Sequence, residues 1–343
     1  MKGSRSADMF LLVAVILFAF FVSVQADDHV ERDFPVGEFI FHYYANHDLD
    51  STDHSISKLV VVIHGIKRNA DTYFTIMENA AHAAGITDTT AIIAPHFEIS
   101  DSDSKVLIYT KDGWLQGDAD TNSHHQYYSF TVIDILLQKA RLTFPNLAQI
   151  IIAGHSAGGQ FVQRYGAMTT VGSTEALHIP VKYLALNPGT YMYLDDQRLS
   201  LSAFETINST CGGDDCNISA ADFVPSYWNA SCPAYNMGKY GTDNPTGYLA
   251  SVGVSTVISH FPQRNFTYLL GDLDFLDNAD LDTSCEAEAE GWYRKQRGLV
   301  WKQYVHLVKK LPSMMQSFAI VPHCGHNDTC MFYSTEFLVE LTW

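Results

Sequence analysis

Residues 150 to 160 read Ile150-Ile151-Ile152-Ala153-Gly154-His155-Ser156-Ala157-Gly158-Gly159-Gln160. An apolar run of this kind predicts a strand buried on both faces, the habit of parallel sheets. It passes directly into Gly-His-Ser-Ala-Gly and then into the helical pattern Gln160-Phe161-Val162-Gln163-Arg164-Tyr165. Strand, sharp turn and helix form the setting of a G-x-S-x-G nucleophile elbow, in which small residues at 154 and 158 make room for a crowded turn. Ser156 would then stand at the sheet edge with a helix start behind it, where developing negative charge is favoured.

The same strand habit recurs outward from this point, at Leu59 to Ile63, Thr90 to Ala94, Gln149 to Ala153, Val181 to Leu186, Phe266 to Leu270 and Phe318 to Val321. Helical patterns fall between, at about Ala70 to Ala84, Phe130 to Leu142, Gly158 to Met168 and Glu286 to Lys310. Alternating strands and helices predict an α/β class with a mostly parallel central sheet flanked by helices. The stretch from Tyr191 to Pro262 breaks the rhythm; it holds three cysteines, three N-x-[ST] sites and many aromatic residues. It reads either as an insertion capping one end of the sheet, about 191 to 262, or as a long loop packed by its own aromatics.

Lys2 and Arg5 precede an apolar run from Met9 to Val24 that ends in Val24-Gln25-Ala26, the pattern of a signal peptide cleaved after Ala26. Residues 1 to 26 are therefore expected to be removed, leaving 27 to 343 as one domain exported from the cell. The alternative is a retained anchor, for which the run is short. No second run of spanning length follows, and the end at Phe337 to Trp343 is too short and charged for a lipid-anchor signal.

The whole chain of 343 residues carries 21 basic and 38 acidic side chains, a net charge of −17. Loss of Lys2, Arg5 and Asp8 with the leader changes this to 19 minus 37, or −18. Such acidity argues against nucleic acid or an anionic membrane as partner. All six cysteines lie in the second half, and an even count in an exported chain favours disulfides. The expected pairs are Cys211 with Cys216 and Cys232 with Cys285, which leaves Cys324 with Cys330. A metal site built on these cysteines lacks paired CxxC spacing, and neither a metal nor an organic cofactor is indicated. Sequons at Asn208, Asn217, Asn229, Asn265 and Asn327 point to a glycosylated surface.

A serine hydroxyl needs a base to take its proton, and the imidazole that does so needs a carboxylate to fix its tautomer. The expected chain order is serine, acid, histidine. Tyr268-Leu269-Leu270-Gly271-Asp272-Leu273-Asp274 is an apolar strand ending in an acidic turn, and Ile320-Val321-Pro322-His323-Cys324-Gly325-His326 ends a later strand in a Gly-His turn. Asp274 is favoured over Asp272 and Asp277 because its distance from the glycine lets the carboxylate turn back toward the site. His326 is favoured over His323, which sits nearer the strand and is expected to be packed. The pair His124-His125 reads as solvated or core. Two backbone N–H groups should receive the oxyanion: that of Ala157, and that of Ile66 in the loop His64-Gly65-Ile66-Lys67-Arg68-Asn69 after the first parallel strand.

On these residues the chain resembles the α/β-hydrolase superfamily, and more narrowly secreted microbial hydrolases with an HGxxRNAxxYF-type loop, a GHSAGGQ-type elbow and an NPSSY-type turn. Here those motifs read His64 to Phe74, Gly154 to Gln160, and Asn187-Pro188-Gly189-Thr190-Tyr191. A polar turn entering a Cys-Glu-Ala helix start, Asp282-Thr283-Ser284-Cys285-Glu286-Ala287, is similar too. The resemblance extends from about residue 38 to 335 and implies a carboxylic ester hydrolase working through an acyl-enzyme. A serine peptidase or amidase, and a binding protein on a hydrolase scaffold, are the alternatives. Gly189-Thr190 stands where Ser-Ser is usual, which questions the hydrogen bonds made there. Ile66-Lys67 is bulky after His-Gly, which predicts a narrowed acyl pocket. The tyrosines of the 191 to 262 stretch are the expected lining of a substrate groove.

Overall fold

The computed structural model describes residues 31–225, 227–275 and 280–343; the leader and Asp277 lie outside them. Eight strands form one sheet: β1 (Arg32–Val36), β2 (Phe39–Ala45), β3 (Lys58–Ile63), β4 (Thr90–Pro95), β5 (Gln149–His155), β6 (Val181–Leu186), β7 (Asn265–Gly271) and β8 (Gln316–Val321). Their order across the sheet is β1-β2-β4-β3-β5-β6-β7-β8. β1 pairs with β2 and β2 with β4 antiparallel, and every later pairing is parallel.

Each central strand is buried throughout, so alternate residues feed two separate cores. From β3, Leu59, Val61 and Ile63 join Ile150 and Ile152 of β5 on the face covered by α2 (Ser129–Thr143) and α3 (Ala157–Met168). Val60, Val62, Ile151, Ala153, Leu184 and Leu186 face the other way, against Tyr73, Phe74 and Met77 of α1 (Ala70–Ala83) and Phe337 and Leu341 near the carboxyl terminus. Two-sided apolar strands between helical layers explain the mostly parallel sheet.

Two features depart from expectation. The hairpin β1–β2 escapes a search for uniformly apolar runs because its burial alternates, Phe34 and Val36 on one strand and Phe41, Tyr43 and Ala45 on the other pointing inward. Gly37, at φ +62°, opens its tight turn. The single long helix expected from Glu286 to Lys310 is broken into Cys285–Glu288, α4 (Arg294–Gln303) and a π-helical turn at Tyr304–Val308, with Gly291 at φ +137° in the break. Gly291 presents its carbonyl to the Arg297 guanidinium there, at 2.8 Å.

Between β6 and β7 the chain forms a helix at Leu201–Thr210, a two-stranded pairing of Gln197–Leu199 with Phe223–Pro225, and shorter turns. Its Tyr191, Tyr193, Tyr235 and Tyr248 are buried. The disulfides are Cys211–Cys216, Cys232–Cys285 and Cys324–Cys330; the second ties this stretch to the segment after β7. Among the described residues no helix is long and apolar enough to cross a membrane.

Candidate active site

The parallel strands end in register. Ile63 pairs with Gly154, His155 with Leu186, and Gly271 with Val321, so the loops that follow β3, β5, β6, β7 and β8 emerge along one edge of the sheet. In open α/β sheets this carboxyl edge is where sites form.

Ser156 lies between β5 and α3 with φ 60° and ψ −119°, a backbone conformation a non-glycine residue adopts only under constraint. The constraint comes from its neighbours. Its N–H donates to the Leu186 carbonyl at 2.9 Å and its carbonyl accepts from Gln160 N–H at 3.0 Å. A Cβ on Gly154 would sit 2.5 Å from the Gly158 carbonyl, and one on Gly158 would sit 2.3 Å from the Ile63 carbonyl, so neither position tolerates a side chain. A serine at a helix start ordinarily caps that helix with its hydroxyl; Ser156 makes no such bond, and its Oγ lies 2.8 Å from His326 Nε2.

His326 Nδ1 lies 2.8 Å from Asp274 Oδ2. Asp274 is 2 % exposed; its N–H donates to the Gly271 carbonyl, which folds the turn after β7 back on itself. Its other oxygen, Oδ1, faces Arg294 Nη1 at 3.7 Å. Asp272 instead pairs with Lys295 at 2.6 Å at the surface. His323, expected to be packed, is exposed at φ +61°: the chain turns outward at the strand end, and Cys324 takes the buried position. His124 and His125 are exposed, away from these groups.

Ala157 is the first residue of α3, so its N–H is not consumed by the helix ladder. Ile66 sits in a turn closed by Arg68 N–H on the Gly65 carbonyl at 3.0 Å. That loop is pinned from below by His64, which is fully buried. His64 Nδ1 lies 2.9 Å from the Gly65 carbonyl, and Nε2 accepts the Phe97 N–H at 3.1 Å. The two contacts select the neutral Nδ1–H tautomer, and burial pushes the imidazole down to about 3. Arg68 fixes the outer side of the loop, donating to the carbonyls of Phe97, Tyr109, Thr110 and Lys111.

Three further residues join the arrangement. Asn187, at φ +43°, accepts Gly271 N–H on Oδ1 at 2.6 Å and donates from Nδ2 to the Gly325 carbonyl at 3.0 Å, so it ties the acidic turn to the histidine turn. Its place in the NPSSY-type motif was its only sequence signal. His155 lies against His326 with ring centroids 4.7 Å apart and the planes tilted by 39°; burial, reinforced by His326 and Arg294, holds it well below the usual histidine range. Thr190 occupies one of the two positions where serines are usual, and its hydroxyl donates to Gln160 Oε1 and accepts from Arg164, both at 2.8 Å. A Cβ on Gly189 would meet Gln160 Nε2 at 2.7 Å, so a side chain there would have to displace the Gln160 amide.

A cleft of about 190 Å³ opens above Ser156, lined by Gly65, Ile66, Lys67, Asn69, Tyr73, His155, Asp280, His326, Asn327 and Asp328. Ile66 and Lys67 form part of its wall, as their bulk suggested. Tyr191, Tyr193, Tyr235 and Tyr248 are not part of its lining; they are buried in the interior.

No family model and no curated protein matches the chain. Solved structures do. One is poly(aspartic acid) hydrolase-1 from Sphingomonas sp. KT-1, 18% identical, with a TM-score of 0.57 over 91% of this chain and 98% of that one. Another is LpqC, a poly(3-hydroxybutyrate) depolymerase from Bordetella parapertussis, 19% identical, with a TM-score of 0.53 over 88% and 87%. At such identities the likeness is one of fold. The chain has the α/β-hydrolase fold.

Proposed function

We propose that this protein is an exported serine hydrolase that cleaves carboxylic esters through an acyl-enzyme. The observation that carries the reading is the hydrogen-bonded line from Ser156 Oγ through the His326 ring to Asp274, 2.8 Å at each step. In the proposed cycle Ser156 Oγ attacks the ester carbonyl while its proton passes to His326 Nε2. Asp274 holds the ring by Nδ1 and stabilises the imidazolium. The tetrahedral oxyanion lies between the N–H groups of Ala157 and Ile66. His326 then protonates the departing alkoxide, and a water activated by the same nitrogen releases the carboxylic acid and restores Ser156.

The polar lining of the cleft, with Lys67, Asn69, Asp280 and Asp328, suits esters of short or polar acyl groups, free or linked to a polymer, over long fatty chains. The acidic net charge disfavours strongly anionic substrates. Export is supported by the leader pattern and by three disulfides.

The test is hydrolysis of p-nitrophenyl esters of graded acyl length together with labelling by a fluorophosphonate. Wild type should turn over the short esters and label at Ser156, and Ser156→Ala should do neither while remaining folded. Cleavage of a peptide library in preference to esters would assign an amidase instead. A folded wild type that neither labels nor hydrolyses would indicate a binding protein.

A further inference from the structure

At the antiparallel end of the sheet, four side chains from three parts of the chain converge. Glu31 precedes β1, His42 lies on β2, and His96 and Glu98 follow β4. His42 Nδ1 is 2.6 Å from Glu98 Oε1 and 3.9 Å from Glu31 Oε2. His96 Nδ1 is 2.5 Å from Glu31 Oε1 and 3.6 Å from Glu98 Oε1. Glu31, His42 and Glu98 each bring one donor atom within 4.8 Å of the others, and His96 stands against the two carboxylates. Donors at the corners of a zinc tetrahedron, with bonds of about 2.0 to 2.2 Å, stand about 3.3 Å from one another; the His42–Glu98 and His42–Glu31 spacings fall on either side of that value.

A second observation points to the same ligand. The other nitrogen of His42, Nε2, faces Asp33 Oδ1 at 3.3 Å. A carboxylate on the far nitrogen fixes the tautomer of a metal-bound histidine and leaves the near lone pair free for the ion.

We propose that Glu31, His42 and Glu98 bind one divalent cation of the zinc type, with solvent as the fourth ligand, His96 against the two carboxylates and Asp33 beside the far nitrogen of His42. Mixed imidazole and carboxylate donors at tetrahedral spacing fit zinc better than calcium or magnesium, which take oxygen ligands in larger number. The site is structural in character. It would clip the start of the exported chain to the exit of β4, whose next peptide, Phe97, donates to His64 and accepts from Arg68; the clip therefore braces the loop that carries Ile66. The sequence hides the set because its members stand at 31, 42 and 98, with no two of them close together.

The experiment is equilibrium dialysis of chelator-stripped protein against Zn²⁺ near pH 7.5, with thermal melts and a Co²⁺ titration of the wild type. Wild type should retain one equivalent of Zn²⁺ more than His42→Gln or Glu98→Gln, its Tm should rise with the metal where theirs does not, and Asp33→Asn should weaken binding about 10- to 100-fold. Cobalt should give the intense visible bands of a tetrahedral site, a readout that holds even if a variant fails to fold. Equal Zn²⁺ content in wild type and folded variants, or a weak octahedral cobalt spectrum, would leave a proton-shared histidine–carboxylate network only and overturn the proposal. None of these readouts depends on ester hydrolysis.

Discussion

Asp274 divides its two carboxylate oxygens: Oδ2 meets His326 Nδ1 at 2.8 Å, and Oδ1 faces Arg294 at 3.7 Å. An amide in place of the carboxylate offers His326 either a neutral oxygen or an N–H, and the latter selects the wrong tautomer. Asp274→Asn is therefore expected to lower kcat by about ten-thousand-fold with an unchanged far-ultraviolet spectrum. A loss of less than tenfold in steady-state ester kinetics would remove Asp274 from the mechanism.

Ser156 holds φ 60° with a Cβ, and residues in sparsely populated backbone regions cost about 1 to 3 kcal/mol. Glycine relieves that strain and alanine does not. Both Ser156→Gly and Ser156→Ala should be inactive. Part of the relief is offset by the greater freedom of unfolded glycine, so the glycine variant should be the more stable by about 1 kcal/mol. Urea denaturation of the two variants decides this; equal midpoints would mean that the turn is not strained.

Asn187 is a positioning residue, since it touches the two turns that carry Asp274 and His326 and neither of those side chains. Asn187→Ala leaves the Gly271 N–H unpaired in a buried place, at a cost of about 1 to 3 kcal/mol. It should also lower kcat with KM nearly constant, as the turns that bear Asp274 and His326 lose their common tether. A stability loss with kcat unchanged would reduce Asn187 to a structural role.

His64 is depressed to about 3 by burial, against an ordinary value near 6.5. The unfolded chain therefore takes up this proton first, and the stability His64 allows above pH 6.5 is lost as pH falls through the window from about 6.5 to 3. His64→Asn, which keeps one donor and one acceptor, does not titrate there. The stability gap between wild type and this variant should narrow by about 1.4 kcal/mol per pH unit below 6.5, measured by denaturation at pH 7, 5.5 and 4.5. A gap independent of pH would contradict the buried neutral imidazole.

Much of this was legible in the chain because the signals are local. The six parallel strands are runs apolar on both faces, and the turn at Ser156 is written by glycines that cannot carry a Cβ. Asp274 and His326 each follow a strand by a short turn. What escaped had no such signature. β1 and β2 alternate between buried and more exposed residues and so lack the uniformly apolar run of the parallel strands. The helix after Cys285 breaks at Gly291, whose carbonyl is held by an arginine six residues on. His323 turns outward although it directly follows strand residues.

The sequence by itself determined the α/β class and the strand-turn-helix that presents Ser156, because periodicity and the steric demands of a tight turn act between neighbours in the chain. Tertiary structure alone decided how that turn is furnished: His64 set between the carbonyl of Gly65 and the N–H of Phe97, Asn187 bridging two loops, Asp274 shared between His326 and Arg294, and Tyr191, Tyr193 and Tyr248 drawn into the core. Each depends on groups brought together by strand register and layer packing, and such distances are set only when the whole sheet has formed.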